Sequence, residues 1–295
     1  MEINADVREV LHTECTLGEG ALWDAARKVV WFVDIKKHHL WHYDPASGSN
    51  ARAVAPEQIG WALPAEDGRL LCGLKDGLYT FDPEHQAFAR LSEIPGEPQT
   101  NRSNDACTDT RGRVWMGTMD DGEKADTGRF YVFDKGRVSA AGPDRVSITN
   151  GPAVSPDGKR IVFTDTLGKK IHVADLRDDG SLGPTRLFVD TAAHFPDAFP
   201  DGPVFDAEGF LWTGLYAGDR IARFTPDGKL DATVAMPTSN LTKLCFGGED
   251  LKTVYVTSAR AGLSAEKLAA QPLAGSLLAF ESPVAGFVGT RVKLT

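Results

Sequence analysis

Short apolar runs alternate with Asp- and Gly-rich turns along the whole chain, and four stretches repeat one arrangement. They open at Glu19 (EGALWDAARKVVWFVDI), Asn104 (NDACTDTRGRVWMGTM), Asn150 (NGPAVSPDGKRIVFTDT) and Asp201 (DGPVFDAEGFLWTGLY). Each has a polar residue, a short apolar strand, a turn and a second apolar strand. Two weaker copies, at residues 66–82 and 248–258, complete a set anchored on Trp31, Leu71, Trp115, Phe163, Trp212 and Tyr255. These anchors are 40, 44, 48, 49 and 43 residues apart. A period of roughly 40–50 residues, with several short strands per period and no long helical pattern, predicts a β-propeller.

Within each period the second apolar strand leads into an alternating one, as in HLWHYDP, GLYTFDP, RFYVFDK, KIHVADL and RIARFTP. Such alternation fits half-buried strands, and PDGK, DAEG, DTRG and PASG supply tight turns. Six copies predict six blades in one all-β domain over residues 1–295, since no linker divides the chain and repeats extend a fold without enlarging one core. The ring is expected to close by pairing a strand near residues 6–13 with the C-terminal strands, because an open ring leaves exposed edges.

The polar residue that opens each copy carries the functional expectation. In Glu19, Asn104, Asn150 and Asp201 it lies 12, 11, 13 and 11 residues before its anchor, and Lys243 lies 12 before Tyr255. The sixth slot falls near Ile59 or Gly60. Equivalent positions of successive blades ring one axis, so these residues meet at the mouth of the channel. Any one of them alone more often caps a strand end or satisfies a turn; the phased set points to a site. Two carboxylates and two amides are oxygen donors that suit Ca²⁺, Mg²⁺ or Mn²⁺, with Zn²⁺ or Fe²⁺ also compatible.

Composition narrows the function classes. A net charge of −9 disfavours nucleic acid, whose binding needs a basic face. The N-terminal residues lack an apolar signal core and no run of about 18 apolar residues occurs, so a cytoplasmic protein without a membrane partner is expected. Cys15, Cys72, Cys107 and Cys245 form no C-x-x-C pair; reduced thiols are the expectation, with a pairing in space left open. There is no GxSxG elbow and no GxGxxG or P-loop. The run Lys36-Lys37-His38-His39 with His42 spans a turn and an alternating strand, where successive side chains face opposite ways, and is read as exposed or satisfied. Trp23, Trp31, Trp41, Trp115 and Trp212 are read as core. Trp61, beside the one apolar slot, is a candidate floor for a sugar pocket.

At LGEGALW (17–23), NRSNDACTD (101–109), GTMDDGE (117–123), ITNGPAVSPDG (148–158), FPDGPVFDAEGFLW (199–212) and CFGGEDLKTVYVTSAR (245–260) the chain resembles the SMP-30/gluconolactonase family of regucalcin-like sugar lactonases, most closely its bacterial xylonolactonase-type members. The resemblance implies a six-bladed propeller with one divalent metal on Glu19, Asn150 and Asp201. It implies substrate contacts from Arg102 and Asn104, with Asp201 as general base. Some members carry a Glu shortly after GTM; here the segment reads Asp120-Asp121-Gly122-Glu123, and Asp121 is the acidic residue assigned to the substrate. Lys243 joins the substrate set on its phase.

The expected reaction is metal-dependent hydrolysis of an aldonolactone such as xylono-, glucono- or arabinonolactone. It needs a polarised carbonyl, an activated water and a stabilised oxyanion. Either Asp201 or the metal activates the water. The partner is a small-molecule sugar lactone, and the protein is a monomer or weak homo-oligomer. Other readings are a non-enzymatic Ca²⁺-binding regulatory propeller, a protein-interaction platform, or hydrolysis of organophosphate esters or other lactones. The Arg102-x-Asn104 pair argues against ion binding alone.

Overall fold

The computed structural model describes residues 1–295 and consists of six four-stranded antiparallel sheets around one axis. The innermost strands are Gly18–Asp24, Ile59–Pro64, Asn101–Thr108, Thr149–Val154, Phe199–Phe205 and Leu241–Gly247, for blades 1 to 6 in order. The predicted anchors lie on the second strands and are buried in clusters that span neighbouring blades. Blade 6 closes the ring: Arg8–Leu11 pairs with Leu277–Glu281, as the unpaired-edge argument requires.

Every innermost strand carries a register shift at one level, between Glu19 and Leu22, Ile59 and Trp61, Ser103 and Ala106, Asn150 and Ala153, Asp201 and Val204, and Leu241 and Leu244. Bulges unpair one residue, bend the strand and re-aim side chains. The polar slot falls at this level in each blade. Glycines in the left-handed region follow three slot residues: Gly20, Gly151 and Gly202, at φ 61°, 72° and 47°. At Gly202 a Cβ would lie 2.3 Å from the Thr242 carbonyl oxygen of blade 6, so the bulge excludes any side chain there.

Below the bulges the channel turns apolar, lined by Ala21, Leu22, Ala106, Val154, Leu244 and Phe246. The C-terminal segment crosses this lower face. Ala207 donates to Ala285, Val292 to Pro64, and Phe287 and Val288 border the cavity. All four cysteines are free thiols. No helix is long and apolar enough to cross a membrane. Trp61 departs from its sequence reading. It is 1% exposed and packs against Gly73 in the core between blades 2 and 3, because its strand places it away from the axis.

Candidate metal and substrate site

Glu19, Asn150 and Asp201 are brought together from blades 1, 4 and 5, all buried. The Glu19 carboxylate accepts one hydrogen bond, from the Gly20 N–H at 3.0 Å. Asp201 Oδ1 is buried without any partner. Burial, then the nearby Asp105, pushes the Glu19 carboxyl up to about 8. Burial, then Glu19 and Asp105, raises Asp201 well above the usual carboxylate range. Two under-satisfied acids sharing a desolvated space are destabilised as anions, so the arrangement favours a cation between them.

The amide of Asn150 is oriented for the same purpose. Thr166 Oγ1 gives its proton to the Pro200 carbonyl at 2.9 Å and therefore accepts from Asn150 Nδ2, also at 2.9 Å. That turns the NH₂ away and leaves Oδ1 facing Asn104, whose Nδ2 approaches it at 3.2 Å. An oxygen, a buried orphan carboxylate oxygen and a carboxylate with a single donor form a hard donor set. The residues present fit a divalent ion.

Arg102 and Asn104 form one unit. Arg102 Nη1 donates to Asn104 Oδ1 at 2.5 Å and to the Ser103 carbonyl at 3.1 Å, while Nε donates to Asp121 at 3.1 Å. Asn104 Nδ2 also donates to the Thr149 carbonyl at 2.7 Å. The chain of bonds therefore runs Asp121, Arg102, Asn104, Asn150, Thr166 and on to Pro200, the residue before Asp201. Arg102, Asn104 and Asn150 are thus mechanically continuous with the strand that carries Asp201.

Two further residues expected at the substrate, Asp121 and Lys243, are engaged in ion pairs within the protein. Asp121 is held by Lys36 at 2.6 Å, Gln58 at 2.9 Å, Lys75 at 3.3 Å and Arg102. Burial alone would raise its pKa, but the bonds from Lys36 and Gln58 outweigh it and keep the carboxyl far below its ordinary value. Both Asp121 oxygens are engaged, and one of them accepts from Arg102 Nε. Lys243 sits at its slot, yet its ammonium bonds Asp105 at 2.7 Å, buried beneath the acids. Sequence reading missed Asp105, Thr166 and the Lys36–Gln58–Lys75 cluster. The unbroken polar run from Asn101 to Asp105 in a buried innermost strand was the available signal, and the bulge lets both Asn104 and Asp105 reach blade 4.

A family model described as SMP-30/Gluconolactonase/LRE-like region matches residues 17–260. The chain is 33% identical to a 6-deoxy-6-sulfogluconolactonase of Pseudomonas putida, over 96% of this chain and 97% of that one. It is 34% identical to an L-arabinolactonase of Azospirillum brasilense, over 95% and 93%. Among solved structures it superposes on a calcium-binding protein, regucalcin, of Agrobacterium tumefaciens with a TM-score of 0.94 and 28% identity, covering 99% and 98%. On the strength of the matched region and of these full-length relatives, the chain belongs to the SMP-30/gluconolactonase family.

Proposed function

We propose that this protein hydrolyses a sugar lactone to its aldonic acid, with one divalent ion held by Glu19, Asn150 and Asp201. The observation that carries the reading is the unpartnered, buried Oδ1 of Asp201 beside Glu19, under the Arg102–Asn104 pair. The relatives named as lactonases support the substrate class, and the calcium-binding neighbour supports a divalent ion.

The bound ion supplies electrophilic polarisation of the ester carbonyl and stabilises the negative charge that develops there. The chain's own groups do the rest. Asp201 accepts a proton from the water that adds to the lactone carbonyl carbon. The ring C–O bond then breaks, and the departing alkoxide takes up a proton as the carboxylate forms. Arg102 uses Nε and Nη1 within the protein, which leaves Nη2 for a ring hydroxyl or the nascent carboxylate. Asn104 is pinned by Arg102, Thr149 and Asn150, and the second lone pair of its Oδ1 is what it offers to a second hydroxyl.

The test is pH-stat hydrolysis of glucono-, xylono-, arabinono- and galactonolactones with and without chelator. Chelator-sensitive turnover of at least one is expected. Absence of such turnover on all four would move the protein to a binding role.

A further inference from the structure

Beneath Glu19 and Asp201 an ion pair crosses the axis. Lys243 of blade 6 meets Asp105 of blade 3, the opposite blade, at 2.7 Å, with side-chain exposures of 7% and 1%. Asp105 also accepts the Ala106 N–H and the Gly151 N–H, each at 2.8 Å. Lys243 Nζ lies 3.4 Å from the Pro203 carbonyl. The pair therefore touches the bulges that carry Asn150 and Asp201, and its other side faces the apolar lower channel.

The charges at this level can be counted. Glu19, Asp105 and Asp201 contribute three negative charges and Lys243 one positive. Arg102 bonds Asn104 and Asp121 rather than any of these acids and is counted with the Lys36–Lys75–Asp121 cluster, although its positive charge also reaches Glu19. Glu19, Asp105, Asp201 and Lys243, all buried, are left with two negative charges, which one divalent ion neutralises. Little solvent screening acts on groups so buried, so each unit of fixed charge bears strongly on a bound ion.

Building on the metal reading above, we infer that the Lys243–Asp105 pair is the charge-setting element of the site, matching it to a divalent ion against a trivalent one. Lys243 and Asp105 are then positioning and selectivity residues that need not touch the substrate. Removing the ammonium leaves three uncompensated negative charges and tightens cation binding, more for a trivalent ion than for a divalent one. Removing the carboxylate leaves the ammonium unopposed and weakens it.

The test is calorimetric titration of the metal-stripped, full-length protein with Ca²⁺, Mn²⁺ and Tb³⁺, in the wild type, Lys243→Met, Asp105→Asn and the double variant, each checked for a cooperative melt. Lys243→Met is expected to bind Tb³⁺ about tenfold or more tighter, with a smaller gain for Ca²⁺ and Mn²⁺. Asp105→Asn is expected to weaken all three by about tenfold, and the double variant to return to within roughly threefold of the wild type. Should Lys243→Met fail to fold, Lys243→Gln, which keeps a donor to Asp105, takes its place. Weakening in both single variants, compounded in the double, is the signature of a merely structural pair and would overturn the inference alone. A wild type that binds no divalent ion would overturn the metal reading as well.

Discussion

Blades 1 and 5 each carry two buried acids five residues apart, one at the bulge of the innermost strand and one at its end, and the two sets behave in opposite ways. At the lower end, Asp24 and Asp206 open the hairpin turns, as Asp109 does in blade 3. Asp206 accepts the Glu208 and Phe210 N–H groups at 3.0 Å on Oδ1, and Trp212 Nε1 at 2.8 Å and Arg223 on Oδ2. Asp109 repeats the pattern with Arg111, Arg113 and Trp115, and Asp24 with Ala26, Arg27 and Arg291. At the upper end, Glu19 has one donor and Asp201 Oδ1 has none. Burial is the same and satisfaction is not. A fully bonded buried acid is scaffold; an acid buried without partners is held ready for something that arrives later.

The comparison breaks most sharply under matched substitutions. Asp201→Asn is expected to lower kcat by roughly 10²–10⁴-fold while the metal-free protein melts no lower than the wild type, since an awkward buried charge is removed. Asp206→Ala is expected to reverse both effects, destabilising by about 3–5 kcal/mol because Trp212 Nε1 and two backbone N–H groups lose their buried acceptor and Arg223 keeps only Glu208 and Asp231, with kcat of the folded fraction unchanged. Steady-state kinetics beside denaturant melts measure both. An Asp201→Asn enzyme of near-wild-type rate would remove the base.

Glu19→Gln comes next in size. It should weaken divalent binding by about 10–100-fold, read by calorimetry. An unchanged affinity would place Glu19 with the scaffold acids.

The smallest expected effect is a slope. Glu19 is pushed up to about 8 from an ordinary 4.5, so the folded metal-free protein holds its proton more tightly than the unfolded chain does. That stabilisation is complete below pH 4.5 and is lost as pH rises through about 8. Melting temperature of the stripped enzyme should therefore fall across this window from this group, and saturating divalent ion should flatten the fall by displacing the proton. A slope that divalent ion leaves unchanged would detach the titration from the site.

The sequence carried the ring and the phased polar residues for one reason: apolar repeats must recur with the blade, and residues that break the repeat at constant phase share an axis. Glu19, Asn150 and Asp201 were legible on those terms. Asp105 was not, because two-residue alternation sends neighbours to opposite faces and only the bulge overturns it. The duties of Asp121 and Lys243 were not legible either, since each is decided by partners 19 to 138 residues away. Trp61 was misjudged because the apolar slot beside it suggested an opening, where the strand provides packing against Gly73.

The seam of the ring has a consequence for the lifetime of the protein. Blade 6 is made from the first strand of the chain and the last three, so its closure rests on strand pairing, with no loop joining Arg8–Leu11 to Leu277–Glu281. Glu19 and Asp201 stand on the two blades that flank it. An ion held by both, as proposed above, would act as a rivet over the join, and opening the circle would first have to release it. Resistance to proteolysis at the termini would then rise and fall with free divalent ion, making the supply of the cofactor a control on how long each molecule survives.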